Sequence, residues 1–156
     1  INVANNKPDI LVNAAGLSIS SILPKSEPTD ISRILRTNLE GALLTSRAFI
    51  RASIRNRMKR SSTPTTSGST AASKCIINIS SLLAHKSGTG AVPYAASKAG
   101  VLGLTRSVAV EAAASLRDVV IRSNAIVPGY IETPMISGSS SFSYPLHYNV
   151  VVRTGY

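Results

Sequence analysis

The segment DILVNAAG, residues 9–16, is a short run of apolar residues that ends in a glycine. Such a run is typical of a strand that is buried in a sheet. Two later segments have the same character: CIINIS, residues 75–80, and VVIRSNAIVPG, residues 119–129. We therefore expect three buried strands that are well separated along the chain.

The stretches between these strands carry helical patterns. After Ser26, a predicted N-cap followed closely by Pro28, apolar residues recur at helical spacing to about Lys59. This pattern predicts one long helix or two nearly collinear helices. The alanine-rich residues 94–116 predict a further helix. Strands that alternate with helices indicate βαβ units, so we expect an α/β fold with a parallel sheet.

Other parts of the chain lack core-forming patterns. Residues 61–73, SSTPTTSGSTAAS, contain no apolar residue larger than proline and predict a flexible insertion. Residues 136–145, ISGSSSFSYP, are loop-like, and residues 146–156 offer at most one short strand.

The charge of the chain raises the question of nucleic-acid binding. Lysine and arginine number 17 against 7 acidic residues, which gives a net charge of +10. Many of these cations fall in RAFIRASIRNRMKR, residues 47–60, where apolar positions indicate a solvated helix face. Aromatic residues make up only 4% of the chain, so base-stacking platforms are scarce. We expect no nucleic-acid partner; an acidic portion outside this sequence would also explain the imbalance.

The single cysteine and the apolar runs bear on the compartment. Cys75 alone cannot form an intrachain disulfide framework, which fits a reducing compartment such as the cytosol or the mitochondrial matrix. Within its strand pattern it is expected to be a small buried hydrophobe and not a reactive thiol. No apolar run approaches the roughly 20 residues of a membrane span. The first ten residues also lack the pattern of a signal peptide.

The stretch PYAASK, residues 93–98, holds a candidate for chemistry. Positions i and i+4 share a helix face, so Tyr94 and Lys98 would project together. A nearby ammonium group favours the phenolate and lowers the tyrosine pKa, so the phenol could exchange a proton with a carbonyl or alcohol oxygen. Ala95, Ala96 and Ser97 would let a ligand approach the helix. A buried tyrosine beside a surface lysine is the alternative.

The surroundings of this pair favour chemistry over packing. In parallel sheets, ligands bind beyond the carboxyl ends of the strands. Gly16 follows the first predicted strand, Ser80 and Ser81 follow the second, and residues 128–133 follow the third. The Ser81 hydroxyl could therefore bond the same substrate oxygen as Tyr94.

In combination, these segments resemble the short-chain dehydrogenase/reductase family. The matching pieces are DILVNAAG, Asn38 in TNLEGA, INISS, YAASKAG and VPGYIETPM, in the family's order over about residues 9–135. The resemblance implies a Rossmann-like doubly wound parallel sheet, here incomplete, in a single partial catalytic domain spanning residues 1–156.

The resemblance also implies roles for individual residues. Tyr94 would be the catalytic acid and base, Ser81 would orient the substrate carbonyl, and Lys98 would lower the tyrosine pKa and bond the nicotinamide ribose. Asn38 would hold a water in a proton relay that reaches Lys98; its alternative role is that of a helix-kink residue. The dinucleotide would be bordered on the adenosine side by Asn13, Ala14, Ala15 and Gly16, and on the nicotinamide side by Tyr94, Lys98, Pro128, Gly129, Ile131 and Thr133. Thr133 could alternatively be a turn residue.

Within the family, the motifs look most like those of 3-oxoacyl-(acyl-carrier-protein) reductases and related carbonyl reductases. The implied reaction is reduction of a β-keto thioester by NADPH in fatty-acid synthesis, with NAD as the other possible cofactor. Sugar alcohol and hydroxysteroid dehydrogenases share much of the pattern and remain alternatives. The implied partners are a small or acyl-carrier-bound ketone and, for the full-length protein, further copies in a homodimer or homotetramer.

Three departures from the family pattern stand out. Ala14 replaces the second asparagine of the usual NNAG, and residues 61–73 lengthen the path to Ser81. The glycine-rich turn TGxxxGxG, which holds the pyrophosphate at a helix N-terminus, does not occur. We therefore expect this sequence to be the catalytic middle of a reductase. A non-catalytic fragment that uses its helices as an interaction surface is the competing hypothesis.

Overall fold

The computed structural model of the protein describes residues 8–61, 73–86, 88–116, 119–129 and 151–154. Within these ranges, the side chains of residues 57, 59–61 and 151–154 are not described. Most of the predicted insertion at residues 61–73 lies outside the described residues, as do Ile131 and Thr133.

The sheet has four strands in the order β1-β2-β3-β4. These are β1 (Ile10–Asn13), β2 (Lys74–Ile79), β3 (Ile121–Val127) and β4 (Val151–Thr154). The first three are parallel, with Leu11 opposite Ile76 and Ile76 opposite Ser123. The three predicted strands are therefore confirmed. The single short strand expected near the end is also present; β4 pairs antiparallel with β3 and adds an antiparallel strand to the predicted parallel sheet.

The strand β1 is less buried than the sequence predicts. Ile10 is 59% exposed and Val12 is 54% exposed, whereas Leu11 and Asn13 between them are half-buried. Among the described strands, β1 pairs only with β2, and the described helices pack on the face of Leu11 and Asn13. The expectation of a fully buried strand therefore fails for β1 in this part of the chain.

The helices lie close to their predicted positions. They are α1 (Pro28–Leu35), a π-helical turn (Arg36–Glu40), α2 (Gly41–Ser61) and α3 (Val92–Ser115). Helical backbone angles at Arg36 and Gly41 make the first three one continuous helical run. Ser26 is not the N-cap; Glu27 takes that position, and the Ser26 hydroxyl instead donates to the Ile22 carbonyl at 3.2 Å. No helix in the described ranges is long and apolar enough to cross a membrane.

The core shows that α2 and α3 pack on the same face of the sheet. Phe49 of α2 and Ala112 of α3 meet Ile76 and Ile121 of the strands in one buried cluster. Two successive crossovers in the same direction along the sheet, each right-handed, place their helices on one face. The result is a Rossmann-like α/β arrangement of which the described residues contain one helical layer.

Polar side chains join this layer to the end of β1. Asn13 Nδ2 donates to Asn78 Oδ1 at 2.8 Å, and Asn78 Nδ2 donates to the Thr105 hydroxyl of α3 at 2.9 Å. Asn13 also donates to Ser46 of α2 at 3.2 Å and accepts from Thr45 at 2.7 Å. Because buried polar groups cost free energy unless they are paired, this network specifies how β1 docks on α2 and α3.

The hydroxyl of Ser123 is the exception among the described residues, since it is fully buried and has no hydrogen-bond partner. We expect Ser123→Ala to raise the free energy of unfolding by about 1 kcal/mol, because it removes an unpaired buried polar group. Ser46→Ala should lower it by a similar amount, since the equally buried Ser46 accepts from Asn13. Urea denaturation of both variants tests this, and a loss of stability in Ser123→Ala would contradict it.

Candidate active site

Backbone hydrogen bonds continue past the carboxyl ends of β2 and β3, which brings two predicted site segments side by side. The Ser80 amide donates to the Ile126 carbonyl at 2.8 Å, and the Leu82 amide donates to the Pro128 carbonyl at 2.8 Å. Ser81 therefore lies next to Pro128 and Gly129, both half-buried. A ligand site was predicted from the sequence at this carboxyl end of the strands.

The start of α3 is set by the turn that precedes it. Gly90 adopts φ +75°, which side chains disfavour, and its carbonyl accepts from the Ser21 amide at 3.0 Å. Pro93 then occupies the first turn of the helix, where its missing N–H costs nothing. Tyr94 and Lys98 share a helix face as predicted, with Lys98 Nζ 5.7 Å from the centre of the tyrosine ring.

Lys98 is hydrogen-bonded to the end of β2. The residue is only 4% exposed, and its Nζ donates to the Ile79 carbonyl at 2.9 Å. The Ser80 hydroxyl in turn donates to the Lys98 carbonyl at 2.8 Å. Burial lowers the pKa of the Lys98 ammonium, because charge is disfavoured away from water.

The pKa of Tyr94 does not follow the expectation from its lysine neighbour. Burial raises the pKa of the Tyr94 phenol above its ordinary value of 10.0, and the nearby Ser81 hydroxyl lowers it only in part. The prediction of a lowered pKa is therefore wrong for this structure. The physical reason is that desolvation of the phenolate outweighs the attraction of an ammonium group that is itself buried and bonded to Ile79. The neutral phenol, which is the proton-donating form, is favoured.

Ser81 is oriented by its own backbone surroundings. It caps a short 3-10 helix (Leu82–Ala84), and its hydroxyl oxygen accepts from the Leu83 amide at 3.2 Å. Because the oxygen is the acceptor in this bond, the hydroxyl hydrogen can be donated to a neighbouring oxygen, such as that of Tyr94 or of a substrate. The hydroxyl lies close enough to Tyr94 to influence its pKa, so the structure brings the two residues together.

Asn38 lies in the middle of the π-helical turn and is 2% exposed. Its amide oxygen accepts from the Leu17 amide at 2.7 Å, and its amide nitrogen donates to the Leu17 carbonyl at 2.9 Å. The same nitrogen donates to the Ser97 hydroxyl at 2.9 Å. Asn38 therefore marks a helix irregularity and also joins three segments of the site. Single π-turns of this kind are frequent at functional sites.

The loop after β1 borders a pocket of about 220 Å³. The pocket is lined among others by Asn13, Ala14, Ala15, Asn38 and Thr45. The Asn13 side chain is engaged in the buried network, so only its backbone is available to a ligand there. Next along the loop, a Cβ added at Gly16 would lie 3.5 Å from Lys98 Nζ, an ordinary contact distance, so Gly16 lies directly beside the lysine.

The structure also identifies residues whose roles the sequence did not reveal. Ser97 is fully buried and faces Asn38, so it does not offer a surface for ligand approach as expected. Gly100 lies where α3 meets the π-helical turn, and a Cβ there would lie 2.7 Å from Leu39 Cδ2. A glycine inside a helix costs about 1 kcal/mol relative to alanine and so signals a packing reason. That signal was present in YAASKAG and pointed to Gly100.

The lowered pKa of Lys98 predicts a pH dependence of stability. The unfolded lysine, with a pKa near 10.5, binds its proton more readily than the folded one. The contribution of Lys98 to the free energy of unfolding should therefore increase as pH rises towards 10.5. Tyr94, with a folded pKa raised above 10.0, has the opposite effect on stability, and this effect begins as the pH approaches 10.0. Lys98→Met should flatten the rise below pH 10, as measured by urea denaturation at several pH values; an unchanged slope would contradict this.

Comparisons with known proteins agree with this arrangement. The family model described as short chain dehydrogenase matches residues 3–142. The chain is 38% identical over 133 residues to the 3-oxoacyl-(acyl-carrier-protein) reductase FabG of Chlamydia pneumoniae, covering 85% of this chain and 46% of that protein. It is 36% identical over 138 residues to carbonyl reductase family member 4 of Danio rerio, covering 88% and 50%.

Solved structures give the same result. A gluconate 5-dehydrogenase from Burkholderia cenocepacia, in complex with NADP and tartrate, superposes with a TM-score of 0.67 at 28% identity, covering 91% of this chain and 48% of that one. The chain thus spans about half the length of the proteins it matches. On the ordered motifs, the parallel sheet and the family match, the chain belongs to the short-chain dehydrogenase/reductase family.

Proposed function

We propose that the protein is an NAD(P)(H)-dependent oxidoreductase that reduces a ketone, and that this ketone is the β-keto group of a 3-oxoacyl thioester. The observation that carries the proposal is the convergence of Ser81, Tyr94 and Lys98 at the carboxyl end of β2. Ser81 caps the short 3-10 helix after β2, whereas Tyr94 and Lys98 share one face of α3.

In the proposed mechanism, Tyr94 is the proton donor. Its raised pKa keeps the phenol protonated at neutral pH, which is the form that a carbonyl oxygen needs as it gains negative charge. The Ser81 hydroxyl, whose oxygen is held by Leu83, donates a second hydrogen bond to the same oxygen. Reduction leaves an alcohol and a Tyr94 phenolate, which regains its proton from solvent through the Lys98 and Asn38 region.

The residues around Lys98 fit one end of a dinucleotide. A bound reduced nicotinamide would supply the hydride. Lys98 would bond its ribose, since Nζ carries three donor hydrogens and has one described hydrogen bond, to Ile79. The backbone of Asn13, Ala14, Ala15 and Gly16 would border the adenosine side along the 220 Å³ pocket. Pro128 and Gly129, with Ile131 and Thr133, would border the nicotinamide side.

The substrate and cofactor preferences rest on the relatives. The name of the 3-oxoacyl-(acyl-carrier-protein) reductase supports a 3-oxoacyl substrate, and the NADP in the gluconate 5-dehydrogenase structure supports NADPH. The name of that dehydrogenase supports a sugar acid as the second candidate substrate. We also propose a homodimer or homotetramer, which the exposed apolar residues Leu44 and Val110 on α2 and α3 support, at 57% and 64% exposure.

Steady-state kinetics of the purified protein tests the proposed function. Oxidation of NADPH and of NADH should be followed optically with a short 3-oxoacyl thioester and, separately, with a keto-sugar acid. We expect turnover with the thioester and a preference for NADPH. Turnover confined to the keto acid would favour the second candidate, and no reduction of any ketone would overturn the oxidoreductase assignment.

The isolated 156-residue chain provides a second measurement. We expect it to bind either dinucleotide more weakly than about micromolar, because its sequence contains no TGxxxGxG turn to hold the pyrophosphate. Isothermal titration measures this directly. Binding at or below micromolar would mean that the chain holds the phosphates with other residues.

A further inference from the structure

Ser97 lies at the junction between the π-helical turn and the first turns of α3. It is fully buried, and its hydroxyl takes part in two hydrogen bonds. The oxygen accepts from Asn38 Nδ2 at 2.9 Å, and the hydroxyl donates to the Tyr94 carbonyl at 2.7 Å. One side chain thus touches both Asn38 and the backbone of Tyr94.

These bonds form a continuous series of hydrogen bonds across the junction. Asn38 holds the Leu17 backbone at both its amide and its carbonyl, so its amide plane is fixed by the loop after β1. Its remaining amide hydrogen is directed at Ser97. Consecutive hydrogen bonds in a buried site polarise and reinforce one another. The chain from Leu17 through Asn38 and Ser97 therefore ends at the Tyr94 carbonyl.

We propose that Ser97 is a positioning residue, which orients the Asn38 amide and fixes the π-helical turn against the helical turn that carries Tyr94. The proposal rests on the reductase function given above. Loss of the hydroxyl would leave Asn38 without one of its three bonds and free the first turns of α3 to shift. Small displacements of a catalytic group reduce turnover, while ground-state binding of the dinucleotide at Lys98 and the β1 loop would be retained.

Ser53 of α2 provides a matched control. It is 4% exposed, and its hydroxyl donates to the Phe49 carbonyl at 2.8 Å, which is the same kind of bond within a helix. None of its described hydrogen bonds reaches the site. Ser53→Ala should therefore reproduce the effect on folding of losing a buried serine hydroxyl without any effect on turnover.

The test compares Ser97→Ala with Ser53→Ala in the purified protein, using thermal unfolding, turnover and amide hydrogen exchange. We expect Ser97→Ala to lower kcat about tenfold with little change in KM for the dinucleotide. Exchange at the Leu17 amide, which Asn38 protects, should become faster in Ser97→Ala and stay unchanged in Ser53→Ala. If Ser97→Ala does not fold, Ser97→Cys keeps the volume with a weak acceptor and should show the same two changes.

The outcomes separate this inference from the proposed function. If Ser97→Ala and Ser53→Ala behave alike in kcat and in Leu17 exchange, the positioning role is overturned. If kcat falls but Leu17 exchange is unchanged, the route through Asn38 is overturned. A parent protein without ketone reduction would overturn the proposed function, and Leu17 exchange would still decide whether Ser97 orients Asn38.

Discussion

Tyr94→Phe should remove nearly all ketone reduction and leave dinucleotide binding largely intact. Only the phenol can donate the proton in the proposed mechanism, and general acid catalysis is worth about 10²–10⁴-fold in rate. Dinucleotide binding would persist because Lys98 keeps its place through Ile79 and Ser80, which do not depend on the phenol. Turnover and fluorescence titration with the dinucleotide should be compared in the parent and the variant.

The pH dependence of the parent protein supplies an independent check on Tyr94. Because its pKa lies above 10.0, the proton donor should remain protonated across the neutral range. The rate of ketone reduction should therefore not fall through deprotonation of Tyr94 below pH 10. The rate of alcohol oxidation, which needs the phenolate, should rise with pH. If Tyr94→Phe keeps more than about a tenth of the parent rate, which is about 1.4 kcal/mol of barrier, Tyr94 is not the acid.

Asn38→Ala should destabilise the protein by about 3 kcal/mol, because it removes three hydrogen bonds at a site that is 2% exposed. The Leu17 amide and carbonyl and the Ser97 hydroxyl would all lose a partner. The expected result is a lower midpoint in urea denaturation together with loss of reduction.

Asn124→Ala is the matched control for this change. Asn124 is half-buried, and the described contact of its side chain is one hydrogen bond to Cys75 Sγ at 3.3 Å, a weak acceptor. We expect a cost below about 1 kcal/mol for this variant. Equal losses of stability in Asn38→Ala and Asn124→Ala would show that the Asn38 bonds do not hold the junction together.

The order and type of the main elements could be predicted from local sequence. A short apolar run that is followed by turn-forming residues is a local signal of a buried strand. Three such runs, ending in glycine, serine or Pro-Gly, predicted β1, β2 and β3. The i, i+4 spacing placed Tyr94 and Lys98 on one face of α3, since helix geometry alone requires it. Ser81 and the loop after β1 were found from their positions after predicted strands, and Asn38 was found from the resemblance.

Tertiary structure alone decided the properties that depend on what surrounds a group. The pKa of Tyr94 is raised and not lowered, because desolvation is set by elements distant in sequence, and spacing to Lys98 carries no information about it. The exposure of β1 depends on which elements cover each face of the sheet. The antiparallel β4 depends on a pairing between distant residues.

The junction at Asn38 shows the same division at the level of single residues. The sequence identified Asn38, because the motif that contains it is visible locally. It could not identify Ser97 as the partner of Asn38, since the two lie 59 positions apart and meet only when α3 packs against the π-helical turn. Local chemistry thus determined which residues can act. Packing decided which of them touch. A hydrogen bond needs donor and acceptor atoms about 3 Å apart, and the number of residues between two positions does not predict that distance.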